Sequence, residues 1–142
     1  MHSMENKYFL QYENEIYFFI KISQHYFHLY QEHLEMMEQE DILLTILFGE
    51  FGGCIVDDFF EMNKEKRIKI FDYIETMMLS EDEYLNTATA TGLVEAIISK
   101  AESKDKSNEL LIEILTYCKE ETMRYIVAWS RMLGIDMEEF MK

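Results

Sequence analysis

The sequence of 142 residues contains no proline and five glycines, so long stretches of it hold nothing that would interrupt a helix. No apolar run approaches the roughly 20 residues that a helix needs to cross a bilayer. The N-terminal residues 1–6 also lack the basic segment and the apolar segment of a secretory signal. We therefore expect a cytoplasmic protein that does not bind membranes.

Positive charge is scarce, with 13 Lys and Arg against 28 Asp and Glu, which gives a formal net charge of -15. Affinity for nucleic acid comes largely from Lys and Arg that replace counterions along the phosphates, so we expect no direct binding to nucleic acid. An anionic membrane surface is disfavoured by the same argument. Apolar residues make up 49% of the chain, which is enough for one core, and we expect residues 1–142 to form a single domain.

Cysteine is also rare. Cys54 and Cys118 lie 64 positions apart, and each falls within an apolar helical pattern that is typical of small buried hydrophobic residues. Since disulfides are uncommon inside cells, we do not expect the two to be bonded.

Apolar residues recur at spacings of three and four, which predicts an all-α fold of about six helices. Short connections favour an antiparallel helical bundle or a short stack of helical hairpins. The predicted helices are 6–22, Ser23 to about Glu38, one capped by Asp41, one capped by Asn63, one capped by Ser80, and a long last helix ended by Gly134. We expect Gly52 and Gly53 to bend or end the third helix. Predicted inward residues include Tyr12, Ile16, Phe19, Phe27, Tyr30, Ile68, Phe71 and Ile74.

The segment 25–33 contains candidate metal ligands, because His25, His28, Glu32 and His33 can share part of one helix face. A di-iron bundle needs a glutamate three residues before a histidine, and a zincin needs one directly after the first of two histidines; neither order occurs. We therefore expect no metal and no cofactor. A metal-dependent enzyme that uses His25, His28 and Glu32 stays an open alternative.

Catalytic motifs are missing from the rest of the sequence as well. Asp57, Asp58 and Glu61 could hold a hard cation or act as acid and base, but the EF-hand spacing is absent. Glycine-rich phosphate loops and nucleophile elbows are absent too. We expect that the protein is not an enzyme.

The layout of charge is uneven along the chain. Residues 1–62 hold 2 basic and 12 acidic side chains, whereas residues 63–142 hold 11 and 16, and no basic residue occurs between Lys21 and Lys64. A surface built from this interval would lack counterions of its own. It would be either an ordinary solvated acidic face or a docking surface for a basic protein, where opposed potentials speed association.

Three stretches carry a family resemblance: residues 43–51 (LLTILFGEF), residues 90–96 (ATGLVEA), and Ala128-Trp129 followed by Leu133-Gly134. In these the sequence resembles small, acidic, all-helical bacterial immunity proteins of polymorphic toxin systems of the contact-dependent inhibition type. The resemblance implies a stoichiometric inhibitor that binds a toxin domain, often a nuclease with a basic substrate cleft.

The charge and the resemblance together predict an immunity-type binding protein that neutralises a basic toxin. We expect this toxin to be a nuclease. The predicted contacts are Glu40, Asp41, Glu50, Asp57, Asp58 and Glu61, with Phe59 or Phe60 as an apolar anchor. We expect a monomer or weak dimer in the free state. The alternative is a helical adaptor or self-associating structural protein with no toxin partner, which pairs through an exposed aromatic face, for example on the first helix.

Overall fold

The predicted all-α fold is confirmed: the protein is a helical bundle, and residues 7–37 and 43–135, which the computed structural model describes, contain no strand. Only the backbone is described for residues 7–11 and 37. The α-helices are α1 (Lys7–Ile20), α2 (Gln24–Met37), α3 (Leu44–Asp58), α4 (Lys64–Met78), α5 (Glu83–Thr87), α6 (Glu95–Lys104), α7 (Glu109–Tyr117) and α8 (Glu120–Met132). A 3-10 turn, Phe59–Glu61, follows α3, and a π-helical segment, Ala88–Val94, joins α5 to α6.

Helix α3 lies at the centre of the bundle. It packs against α2, α6 and the π-helical segment, which is why its apolar residues extend beyond a single face. The buried residues of α3 are Leu44, Leu47, Phe48, Phe51, Gly52, Cys54, Ile55 and Val56. The side chains on α3 are therefore held in place by packing in the core.

The prediction that Gly52 and Gly53 bend or end the third helix is wrong, because α3 runs through both residues to Asp58. Gly52 is needed for close packing instead, since a β carbon there would stand 2.8 Å from the carbonyl oxygen of Leu93. A β carbon on Gly92 would likewise overlap the carbonyl oxygen of Thr45. The two glycines let the backbones of α3 and the π-helical segment touch.

The other side of the bundle is built from α4, α7 and α8. The prediction of a single long last helix is wrong. Two helices, α7 and α8, take its place, because the backbone is extended at Cys118 and Lys119. The Glu75 carboxylate of α4 caps the new helix start by accepting hydrogen bonds from the backbone N–H groups of Glu121 (2.8 Å) and Thr122 (3.0 Å). A contact from a distant helix thus starts α8.

Some of the predicted helix caps are confirmed and one is replaced by a neighbouring residue. Asn63 caps α4 as predicted, its side-chain oxygen accepting from the N–H of Lys66 at 2.8 Å. Asp82 rather than Ser80 caps α5, while the Ser80 hydroxyl accepts from the Asp82 N–H. Gly134, with φ of +80°, ends α8 as predicted. The predicted helix start at residue 6, the Asp41 cap and the Glu38 end lie outside the described residues.

Most of the predicted inward residues are buried, including Tyr12, Ile16 and Phe19. Phe27 and Ile68 are partly exposed instead, and the neighbouring Tyr26 and Ile70 take the core positions. No helix in the described parts of the chain combines the length and apolar character that crossing a membrane requires.

Candidate functional site

An open groove of about 500 Å³ runs between α2, α3 and α6. It exists because small residues face one another at helical spacing: Gly49 and Gly53 on α3 lie opposite Ala96, Ser99 and Ser103 on α6. The polar side chains around this space include those of His25, Glu50, Cys54, Asp57 and Lys100. The groove therefore gathers side chains from three helices, and it includes two of the predicted contact residues, Glu50 and Asp57.

At one edge of the groove, His25, Cys54 and Asp58 form a three-residue cluster. The Nδ1 atom of His25 lies 3.0 Å from the Cys54 sulfur and 3.1 Å from Oδ2 of Asp58. The Cys54 thiol donates to that same oxygen at 3.4 Å. Cys54 and Asp58 share a face because they are four residues apart on α3, and the packing of α2 on α3 adds His25.

The surroundings of Cys54 favour the protonated thiol. Burial, followed by the nearby charge of Asp58, raises the pKa of Cys54 to about 12. One imidazole nitrogen also contacts both the sulfur and the carboxylate, whereas a nucleophilic triad uses one nitrogen for each. The arrangement is thus a convergence of three donor atoms on one point, and it differs from that of an activated cysteine nucleophile.

Asp57 lies on the other side of the groove and has two counterions. Its carboxylate accepts from Lys100 Nζ at 2.8 Å and from Lys104 Nζ at 3.0 Å. The hydrogen bond from Lys100 lowers the pKa of Asp57, and the hydrogen bond from Lys104 adds to this effect. Together they outweigh the partial burial, which would raise it, so the pKa lies below its usual range. The interval between Lys21 and Lys64 has no basic residue of its own, but α6 brings Lys100 and Lys104 from the second half of the chain to Asp57.

Glu50 is half-buried at the inner wall of the groove. Its Oε2 lies 3.7 Å from Nδ1 of His33, whose side chain is fully buried. Burial, helped by the charge of Glu32, raises the pKa of Glu50, and burial lowers the pKa of His33. Burial therefore disfavours the charged form of each group in this pair.

The 3-10 turn after α3 separates the two candidate anchors. Phe59 is 0% exposed and makes edge contacts with Phe71 and Tyr117, so its ring belongs to the core. Phe60 is 64% exposed, and Glu61 beside it is also exposed. Arg67 packs over Phe59 with its guanidinium 4.2 Å from the ring centre. We call Asp58, Phe60 and Glu61 the acidic-aromatic patch.

The predicted contact residues thus fall into two places. Glu50 and Asp57 line the groove, and the acidic-aromatic patch lies at the end of α3; Glu40 and Asp41 are outside the described residues. The His25 cluster was missed, because the sequence offered His28 and Glu32 as the local partners of His25. The i, i+4 spacing of Cys54 and Asp58 was the available signal, but their meeting with His25 depends on tertiary packing.

The fold and the groove define an acidic, all-α domain with a polar site between three helices. Residues 19–134 match a family model described as a domain of unknown function, DUF7674, and the chain belongs to that family. Comparison with curated proteins and with solved structures gives no match.

Proposed function

We propose that the protein is an immunity-type binding protein that neutralises a basic toxin domain by stoichiometric binding. The observation that supports this most is the acidic-aromatic patch, in which an exposed phenylalanine is flanked by two carboxylates on the end of a core helix. Binding energy usually concentrates in a few large side chains that lose their water, and surrounding charge selects the partner. A cationic surface with an apolar pocket is the complementary shape.

Electrostatics favour a cationic partner in two further ways. The C-terminal end of α3 carries the negative end of the helix dipole, which adds to the charge of the patch. The formal net charge of -15 extends an attractive field over the whole molecule and steers a basic protein toward it. Asp57 is paired with Lys100 and Lys104, and Asp58 lies 3.1 Å from His25, so Glu61 is the carboxylate of the patch that we expect to contribute most to the partner contact.

The partner is best sought as the product of the neighbouring gene, because toxins and their inhibitors are encoded together in the systems that the sequence resembles. We expect that product to co-purify with the protein in a one-to-one complex and to arrest growth unless the protein is co-expressed. An unrelated basic protein of similar charge is the specificity control. Absence of both complex formation and growth rescue would contradict the proposal.

The position of the interface is tested with matched variants at the two ends of α4. Phe60→Ala and Glu61→Lys alter the patch, whereas Leu79→Ala and Glu81→Lys alter exposed positions about 20 Å away along the helix. We expect the first pair to weaken binding at least tenfold and Glu61→Lys to slow association and reduce its salt dependence. Equal affinities for both pairs of variants would show that the interface lies elsewhere. If the protein self-associates and Phe60→Ala abolishes this, the result would favour the adaptor alternative.

A further inference from the structure

We propose that His25, Cys54 and Asp58 bind a single zinc ion or a similar thiophilic divalent cation. Their donor atoms are one nitrogen, one sulfur and one oxygen, and the three lie 3.0, 3.1 and 3.4 Å apart. Imidazole, thiolate and carboxylate are the ligand types that zinc takes in proteins. Asp58 is shared with the acidic-aromatic patch, whereas Phe60 and Glu61 belong to the proposed partner contact alone.

The spacing of the three atoms fits tetrahedral coordination. Bonds of about 2.0 to 2.3 Å at tetrahedral angles place neighbouring ligand atoms roughly 3.3 to 3.6 Å apart. The three observed distances between donor atoms are therefore shorter than those around a bound metal by about half an ångström or less. Cys54 and Asp58 are fixed on successive turns of α3, whereas His25 has a 45% exposed side chain near the start of α2 and can make the adjustment.

Charge and protons balance when a dication binds. A thiolate at Cys54 and a carboxylate at Asp58 together supply two negative charges, and His25 binds as the neutral imidazole. The Cys54 thiol releases its proton to solvent as the metal–sulfur bond forms. The neighbouring charges are Asp57 on α3 and Lys100 on α6, which already pair with each other.

Tyr26 is a buried residue next to the cluster, and its hydroxyl is available to a ligand atom there. Its side chain is 1% exposed, and its hydroxyl has no oxygen or nitrogen hydrogen-bond partner in the described parts of the chain. The hydroxyl lies on the side of Tyr26 that faces Cys54. A metal-bound thiolate could accept a hydrogen bond from the Tyr26 hydroxyl, so Tyr26 has the position of an outer-shell residue that orients a ligand.

The site leaves one coordination position open. Asp58 and His25 are partly exposed, and the groove begins directly beside His25 and Cys54. Three protein ligands with a fourth position toward solvent are the arrangement of zinc sites that hold a water or an external ligand. The groove then gives access to the metal.

Cobalt is the probe, because four-coordinate Co²⁺ bound to thiolate shows a sulfur-to-metal charge-transfer band and intense visible bands. The reduced full-length protein is titrated with Co²⁺, and then with Zn²⁺ to displace it. We expect one equivalent to bind with both sets of bands, and one proton from the thiol to be released. Binding without the sulfur band would overturn the proposal, as would the absence of binding by either metal.

Matched variants assign the ligands. We expect His25→Ala, Cys54→Ser and Asp58→Asn to lower Co²⁺ affinity at least tenfold, with His28→Ala and Cys118→Ser as controls that retain it. Because Cys54 is buried, Cys54→Ser could unfold, so circular dichroism is measured first and His25→Ala, on an exposed ring, is the decisive variant. Unchanged affinity in folded His25→Ala would exclude the site. Glu61→Lys should keep the metal, which separates this test from that of the partner interface.

Discussion

Gly52 lies so close to Leu93 that a β carbon on the glycine would stand 2.8 Å from the leucine carbonyl oxygen. This contact sets the distance between α3 and the segment that leads into α6. It therefore also sets how Lys100 on α6 reaches Asp57 on α3, and how wide the groove between the helices is.

The first prediction concerns these glycines. Gly52→Ala and Gly92→Ala place a methyl group against backbone oxygens that cannot move independently, and we expect each to lower the free energy of unfolding by about 1 to 3 kcal/mol. Gly49→Ala is the matched control, because its nearest neighbour, the Gly92 oxygen, would lie at an ordinary 3.6 Å. Its unfolding free energy should stay level or rise by up to about 1 kcal/mol. Urea denaturation measures all three, and equal effects would contradict the packing argument.

The second prediction concerns Glu75, whose carboxylate accepts hydrogen bonds from the backbone of Glu121 and Thr122 and from the Thr122 hydroxyl. We expect Glu75→Gln to lower the free energy of unfolding by about 1 to 2 kcal/mol at neutral pH, as the loss of a helix cap does. Glu113→Gln, on a neighbouring helix, is the control. Thermal unfolding of the two variants beside the unaltered protein gives the difference.

The pH dependence of this effect has a defined sign. Burial alone would raise the pKa of Glu75, but the hydrogen bonds from Glu121 and Thr122 outweigh it and hold the pKa below the usual value. A folded-state pKa below the unfolded one contributes stability that is present above the unfolded pKa and is lost as the pH falls through the folded pKa. The difference in free energy of unfolding between Glu75→Gln and the unaltered protein should therefore decrease as the medium becomes acidic. A difference that is constant with pH would show that the cap does not depend on the charge.

Local signals account for the part of the fold that the sequence predicts. Asn63 caps a helix through an atom three residues away, and Gly134 ends one through its own φ, so both are readable without tertiary contacts. The break before α8 depends on Glu75, which is 46 residues from Glu121 and gives no local sign. The same limit applies to the site, because His25 and Cys54 meet only through packing of α2 on α3.

The third prediction contrasts Asp57 with Glu75. The Asp57 pairs with Lys100 and Lys104 are solvent-exposed, and exposed ion pairs contribute little because solvent screens them. We expect Asp57→Asn to lower the free energy of unfolding by less than about 1 kcal/mol, and this loss should shrink in high salt. Asp72→Asn, which breaks the similarly exposed pair with Lys119, serves for comparison. A large, salt-independent loss would mean that the Asp57 pairs hold α6 in place.

The fourth prediction separates the two phenylalanines of the 3-10 turn. Phe59 is 0% exposed and packs on Phe71 and Tyr117, so Phe59→Ala should lower the free energy of unfolding by about 3 to 5 kcal/mol. Phe60 is 64% exposed, so Phe60→Ala should change it by no more than about 0.5 kcal/mol. Chemical denaturation gives both values, and a binding assay with the toxin candidate is then informative for Phe60→Ala, because that variant stays folded. If Phe60→Ala were as destabilising as Phe59→Ala, its ring would be part of the core and would not be available to a partner.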